Sequence, residues 1–188
     1  MRLSAPRIEP VCMSDLDPAA RTALAALPEH ARGFNIFATM AHAPDALAAF
    51  LAWGNYVLSG DNSLSPRQRE LAILRVGFLC CAGYEWAQHR LIGMDAGLSA
   101  EDVEAIKRGA DCGHWDLLDA AILQACDELV NGHHISDATW ATLAPLGDRG
   151  RMDLVFTVGQ YTQVSMLLNS FGVQLDPGLT GDPDLERR

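Results

Sequence analysis

Positive charge is scarce in this 188-residue sequence: Lys and Arg total 14 against 24 Asp and Glu, a formal net charge of −10. A field of that sign repels phosphate, which argues against nucleic acid or an anionic membrane surface as a partner. Long apolar runs are missing as well. The stretches 47–58 and 71–82 are interrupted by polar residues and are too short to span a bilayer, and the opening MRLSAPRIEPVC has no signal-peptide core. Cysteine occurs in an odd number, as Cys12, Cys80, Cys81, Cys112 and Cys126. A chain of this length builds its core without disulfides, so the expectation is reduced thiols in a cytoplasmic protein. Adjacent Cys80-Cys81 is not a zinc spacing, and adjacent His133-His134 has no third ligand nearby in sequence, so no metal site is expected. No Walker loop, dinucleotide fingerprint, hydrolase elbow or 20–50-residue repeat is present, and no cofactor is expected.

Period-2 alternation is nearly absent, while helix signals recur along the whole chain. Asp17-Pro18 opens an Ala/Leu segment that stops by Pro28, and 34–41 is a second short helix. Pro44 suits the first turn of a helix to Leu58, with Gly60 as its stop. Ser65-Pro66 caps a segment over 67–81, Gly83 is a kink site, and helix continues over 84–96 to Gly97. Ser99 and Asp102 have capping-box spacing, with Gly109 closing that helix. Segments 116–129, 137–143 and 148–171 complete the set. The expectation is a single all-α domain of about eight helices over 15–175, with an N-terminal arm and a frayed tail over 176–188.

One segment concentrates chemistry: Arg69-Glu70, then Cys80-Cys81, then Tyr84-Glu85-Trp86 and His89. On a continuous helix Glu70 and Cys81 lie about 20° apart in azimuth, and Cys81, Glu85 and His89 follow at i, i+4 and i+8. Two carboxylates, a thiol and an imidazole along an apolar segment are costly unless they pair or face a cavity. Burial raises a carboxylate's pKa and a neighbouring carboxylate raises that of an imidazole, which would bring both towards neutral pH and suit them to proton transfer. An ordinary Glu85–His89 helix pair with Glu70 on the surface fits the spacing equally well. Cys80 and Cys81 read either as a reactive site or as small buried hydrophobes. Gln160 and Tyr161 need partners if buried, and they and Asn35 are further candidates for a pocket wall.

These motifs resemble the carboxymuconolactone decarboxylase-like family, also called the alkyl hydroperoxidase D-like fold. The resemblance is carried by Arg69-Glu70 with Leu71–Arg75, by Tyr84-Glu85-Trp86 with His89, and by Gly97-Leu98-Ser99. It extends upstream through Phe34-Asn35 and His42-Ala43-Pro44, and downstream through Asp127-Glu128-Leu129, 136–140 and 158–161, covering roughly 7–175. It implies a multi-helix enzyme that acts on a small molecule and assembles as a trimer or hexamer. The redox branch of the family carries a Glu, eleven residues, Cys-x-x-Cys, three residues and His. Counted from Glu70, those cysteine positions are Ala82 and Glu85 here, and the His position is His89. The acid and the imidazole match, the redox pair does not, and Cys81 is displaced by one residue. The resemblance therefore implies acid–base catalysis by Glu70, Glu85 and His89, with Tyr84 as a hydrogen-bond donor, on a small organic acid or lactone. The alternatives are a thiol-dependent peroxidase using Cys80 or Cys81 and a non-catalytic oligomeric binding protein.

Overall fold

Helix starts follow the capping residues. The computed structural model describes residues 2–186. Asp17 accepts from the Ala20 N–H at 2.7 Å and starts α1 (Pro18–Leu24). A single 3-10 turn over 29–31 leads to α2 (Asn35–Met40), and α3 (Pro44–Leu58) begins on its proline. Ser65 and Gln68 form a capping box at the head of α4 (Pro66–Leu79), which α5 (Gly83–Asp95) follows. Ser99 and Asp102 do the same for α6 (Ala100–Arg108). Asp116 caps α7 (Leu117–Gly132), Ser136 caps α8 (Asp137–Thr142), and α9 (Gly147–Phe171) and a short α10 (Pro183–Glu186) complete the chain. No strand occurs among the described residues. The expected all-α class stands, and among the described residues three of the ten α-helices are no longer than six residues.

The core is organised round α4. Every residue from Glu70 to Phe78 is buried, because α5, α6, α7 and α9 pack against it. A segment so enclosed is mostly apolar on all sides, and its two buried charged residues, Glu70 and Arg75, need partners. Arg75 makes a two-pronged contact with Asp127 on α7, at 2.6 and 2.7 Å, and its third nitrogen donates to the Ile106 carbonyl at 2.7 Å. Gly109 makes room for it: φ is +86° there, and a Cβ would lie 2.7 Å from the guanidinium. Glu70, the second charged residue, faces α5. A smaller apolar cluster joins α1 and α3 through Leu16, Leu24, Leu47 and Leu51.

Three expectations need correction. Helix does not run through the Cys80–Gly83 region. Cys81 takes a left-handed conformation (φ +52°), the Asn169 amide holds the Cys80 carbonyl at 2.8 Å, and α5 runs back along α4. Gly77 thus faces Glu85, and Gly93 faces Leu74 and Glu70. The azimuth that put Cys81 beside Glu70 required a continuous helix and does not apply. Second, the tail is not frayed where it is described. Asp176, Asp182 and Leu185 are buried, and the Trp86 indole and the Lys107 ammonium both bond Asp182. A buried indole N–H needs an acceptor, and the tail supplies it. Third, the N-terminal arm is pinned: the Arg7 N–H donates to the Phe171 carbonyl at 2.8 Å and the Val11 N–H to the Ala38 carbonyl at 3.1 Å. Met1 of the arm and Arg187 and Arg188 of the tail lie outside the described residues.

Candidate active site

The reversal at Cys81 sets α5 against α4, so side chains on the two helices meet. His89 comes against Glu70, and its Nδ1 lies 2.7 Å from the Glu70 carboxylate. Both side chains are buried, Glu70 almost completely. With Nδ1 on Glu70, Nε2 is the ring nitrogen left over, and among the described residues nothing bonds it. The edge of the ring meets Tyr161 on α9, 4.9 Å between centroids and nearly perpendicular.

One turn earlier on α5, Glu85 is 2% exposed. Its Oε2 accepts from the Ser165 hydroxyl at 3.0 Å, while its Oε1 has no hydrogen-bond partner. Gly77 leaves the space for it, since a Cβ there would lie 2.9 Å from Oε1. Burial, with the Glu70 charge adding to it, pushes the Glu85 carboxyl well above the ordinary carboxylate range. Burial therefore favours the protonated, uncharged form of Glu85. The Tyr161 hydroxyl is likewise pushed up, first by burial and then by Glu70 and Glu85, and stays a phenol.

Glu85, His89, Gln160 and Tyr161 line one cavity of about 370 Å³. Most of its other lining is apolar and aromatic, including Phe34, Phe37, Phe50, Leu51, Val164 and Leu168, with Asn55, Gln88 and His30 as further polar residues. Leu58 and Ile92, both nearly half exposed, also line it and bring it to the surface. The Gln160 side-chain oxygen is buried without a partner. Among the described residues no group of three or more ligating side chains is placed to hold a metal ion.

The remaining sequence candidates are placed differently. Tyr84 lines the cavity, but its hydroxyl donates to Asp176, so its hydrogen is not free for a developing enolate as the sequence suggested. Asn35 does not line the cavity. Its amide donates to the carbonyls of Gln174 and Leu175, and its N–H bonds Asp176 at 2.7 Å, so it ties the tail to α2. Cys80 and Cys81 sit at the α4–α5 turn, off the cavity lining. Burial, and then Glu85, pushes the Cys80 thiol up, away from thiolate. Cys80→Ser and Cys81→Ser should each leave activity within about tenfold, or ~1.4 kcal/mol of barrier. Steady-state kinetics on both variants check this, and a thousandfold loss with peroxide-dependent turnover would put thiol chemistry first.

Sequence reading missed Ser165, Gln88 and Asp176. Ser165 follows Tyr161 at i+4 and was within reach of helical periodicity. Asp176 had no local signal, since its partners Tyr84, Gln88 and the Asn35 N–H are about 90 to 140 residues away.

Residues 44–127 match the carboxymuconolactone decarboxylase family. The matched segment runs from the start of α3 into α7 and includes Glu70, Tyr84, Glu85 and His89. This is the family whose resemblance the Arg69-Glu70 and Tyr84-Glu85-Trp86-x-x-His89 motifs carry. No curated protein matches the chain by sequence. Solved structures of the same fold do. An alkylhydroperoxidase AhpD core from Ralstonia eutropha JMP134, described as an uncharacterized peroxidase-related protein, superposes with a TM-score of 0.70 at 21% identity, over 82% of this chain and 89% of that one. An uncharacterized peroxidase-related protein from Silicibacter sp. TM1040 gives 0.69 at 17%, over 93% and 96%. The debrominase Bmp8 gives 0.67 at 16%, over 90% and 92%. The decarboxylase-family match and the AhpD-like superpositions agree on one helical fold.

Proposed function

We propose that this carboxymuconolactone decarboxylase-like chain is a cofactor-free acid–base enzyme that transfers a proton on a carbon next to a carbonyl. The observation that carries the reading is the pairing, on one cavity wall, of an imidazole with an unbonded Nε2 and a buried carboxyl with one unpartnered oxygen, whose burial favours the protonated acid. Environments that push two titratable groups apart supply an acid and a base at the same pH. His89 Nε2 takes the proton from carbon, and Glu70, bonded to Nδ1, orients the ring and stabilises the imidazolium that forms. Glu85 gives its proton to the carbonyl oxygen. The C–H pair becomes the enol double bond, no electrons leave the system, and return of a proton to carbon restores both groups. The family name points to a carboxy-lyase, in which the carbon–carboxylate bond supplies the electron pair instead, and the same acid would serve it. The test is NMR-detected deuterium exchange at the α-carbon of lactones, ketones and their carboxylated counterparts, together with an assay for carbon dioxide release. If no compound in any of these classes exchanges or decarboxylates, the assignment fails.

Two observations weigh against the other readings. A thiol peroxidase needs an accessible thiolate, whereas Cys80 is shifted away from one and neither turn cysteine lines the cavity. A pure scaffold would have its polar groups locked in pairs, whereas Glu85 keeps an unpartnered oxygen. All five cysteines are free, which supports the cytoplasmic location expected from their number. Among the described residues no helix is long and apolar enough to cross a membrane.

The proposal includes the trimer or hexamer that the resemblance implies. Leu91, Ile92 and Met94 stand out from α5, each nearly half exposed, on a chain that carries many like charges. Apolar side chains grouped in this way favour an interface. Light scattering at micromolar concentration should give the mass of three chains or a multiple of three. A single-chain mass would refute it.

A further inference from the structure

The lining of the cavity bears on the charge of its ligand, a question that acid–base chemistry leaves open. Among the described residues no lysine or arginine lines it. Arg69 is close enough to act on the Tyr161 hydroxyl electrostatically, but it is off the lining and donates to the Ser59 carbonyl. His89 is committed to Glu70, and His30 stands exposed at the rim. The group on the lining beside Glu85 that can carry a positive charge is the His89 imidazole, and Glu70 already pairs with it. An anionic ligand entering there would give up its hydration with no uncommitted cation to meet it. It would also face the Glu70 charge and the field of a net −10 chain.

The same walls suit a neutral ring. Phe34, Phe37, Phe50 and Tyr161 supply aromatic surface, and Glu85, Gln88, His89 and Gln160 provide a small polar part of the lining. Sites of this kind hold a mostly apolar ligand and orient it through a few polar groups. At about 370 Å³ the space exceeds the ~150 Å³ apolar cavity that takes up benzene. Gly54 on α3 keeps part of it open. A Cβ there would meet only the Gln160 amide, at 3.8 Å, and has room to grow towards the cavity.

We infer that the cavity binds an uncharged, ring-sized carbonyl compound and rejects carboxylated ones, with Gly54 leaving the space the ring occupies. This rests on the acid–base reading of the site. It narrows the reaction to enolisation or isomerisation, because a decarboxylase substrate carries the charge that the cavity does not accommodate. The probes are acetophenone and 2-indanone against 4-acetylbenzoate, titrated calorimetrically into the full-length protein at neutral pH. The neutral ketones should bind at least about tenfold more tightly than 4-acetylbenzoate. Gly54→Leu should fold with an unchanged or higher melting temperature and weaken the neutral ketones by about tenfold or more, with Gly54→Ala intermediate. The inference is overturned if 4-acetylbenzoate binds as well or better, if the neutral ketones fail to bind at millimolar concentration, or if a folded Gly54→Leu binds them as before. Should Gly54→Leu not fold, the ligand comparison on the parent protein decides. Deuterium exchange is read separately. A neutral ketone that binds preferentially but does not exchange upholds the ligand class and counts against the acid–base reading. Exchange of 4-acetylbenzoate without exchange of acetophenone upholds that reading and overturns the class.

Discussion

Replacing His89 or Glu85 by Gln is expected to slow α-proton exchange by roughly 10²–10⁴-fold, the usual worth of a general base or acid, while the protein stays folded. Gln keeps the volume of either site and can still hydrogen-bond Glu70 or Ser165. The two variants part in their pH behaviour. Glu85 ionises near 4.5 in an unfolded chain and well above that in the folded protein. Between those values the unfolded state has lost a proton that the folded state retains, so the folded protein loses stability as pH rises. A glutamine does not titrate. The stability of Glu85→Gln relative to the parent should therefore grow as pH rises from 4.5 towards neutrality, as read from urea midpoints at a series of pH values. A difference that is flat or shrinking with pH would mean that Glu85 is ionised in the fold and cannot be the acid. Glu70→Gln should slow exchange less, because it acts through the orientation of His89. If His89→Gln leaves the rate within a factor of about ten, or ~1.4 kcal/mol, the base lies elsewhere.

The largest expected loss of stability comes from the other charged residue of α4. Arg75→Met removes the guanidinium that holds Asp127 and the Ile106 carbonyl and fills the gap left by Gly109. Breaking a buried pair from one side costs about 3–5 kcal/mol, because the partner remains with its charge unmet. Asp127 is about a quarter exposed, which places the expected loss near the lower end of that range. The double variant Arg75→Met with Asp127→Leu should recover part of it, since nothing charged is then left unpaired. A single-variant loss below ~1 kcal/mol in urea denaturation, the worth of an exposed pair, would show that water replaces the arginine at this position.

Much of the fold is legible in the sequence because its signals are local. Asp17, Ser65, Ser99, Asp116 and Ser136 each accept a hydrogen bond from a backbone N–H within the next three residues, and Pro44 and Pro66 start helices where their fixed φ fits. The residue content of the site, Glu70, Glu85 and His89, was legible too, through spacing and the family resemblance. Their geometry was not. A continuous helix would have put Cys81 beside Glu70, whereas the left-handed turn at Cys81 folds α5 back and sets His89 against Glu70 instead. That choice depends on contacts made by α9, where Asn169 holds the turn and Ser165 meets Glu85. The tail is a second case. Nothing within 173–186 marks it as ordered, and its burial follows from the needs of distant donors: the Trp86 indole, Lys107, the Tyr84 hydroxyl and the Asn35 N–H. Capping and periodicity are satisfied within a few residues, so the sequence determines them alone. The burial of Glu85, the occupied hydroxyl of Tyr84 and the mostly apolar cavity each arise from groups far apart in the chain, and burial and pairing of that kind exist only once the helices have packed.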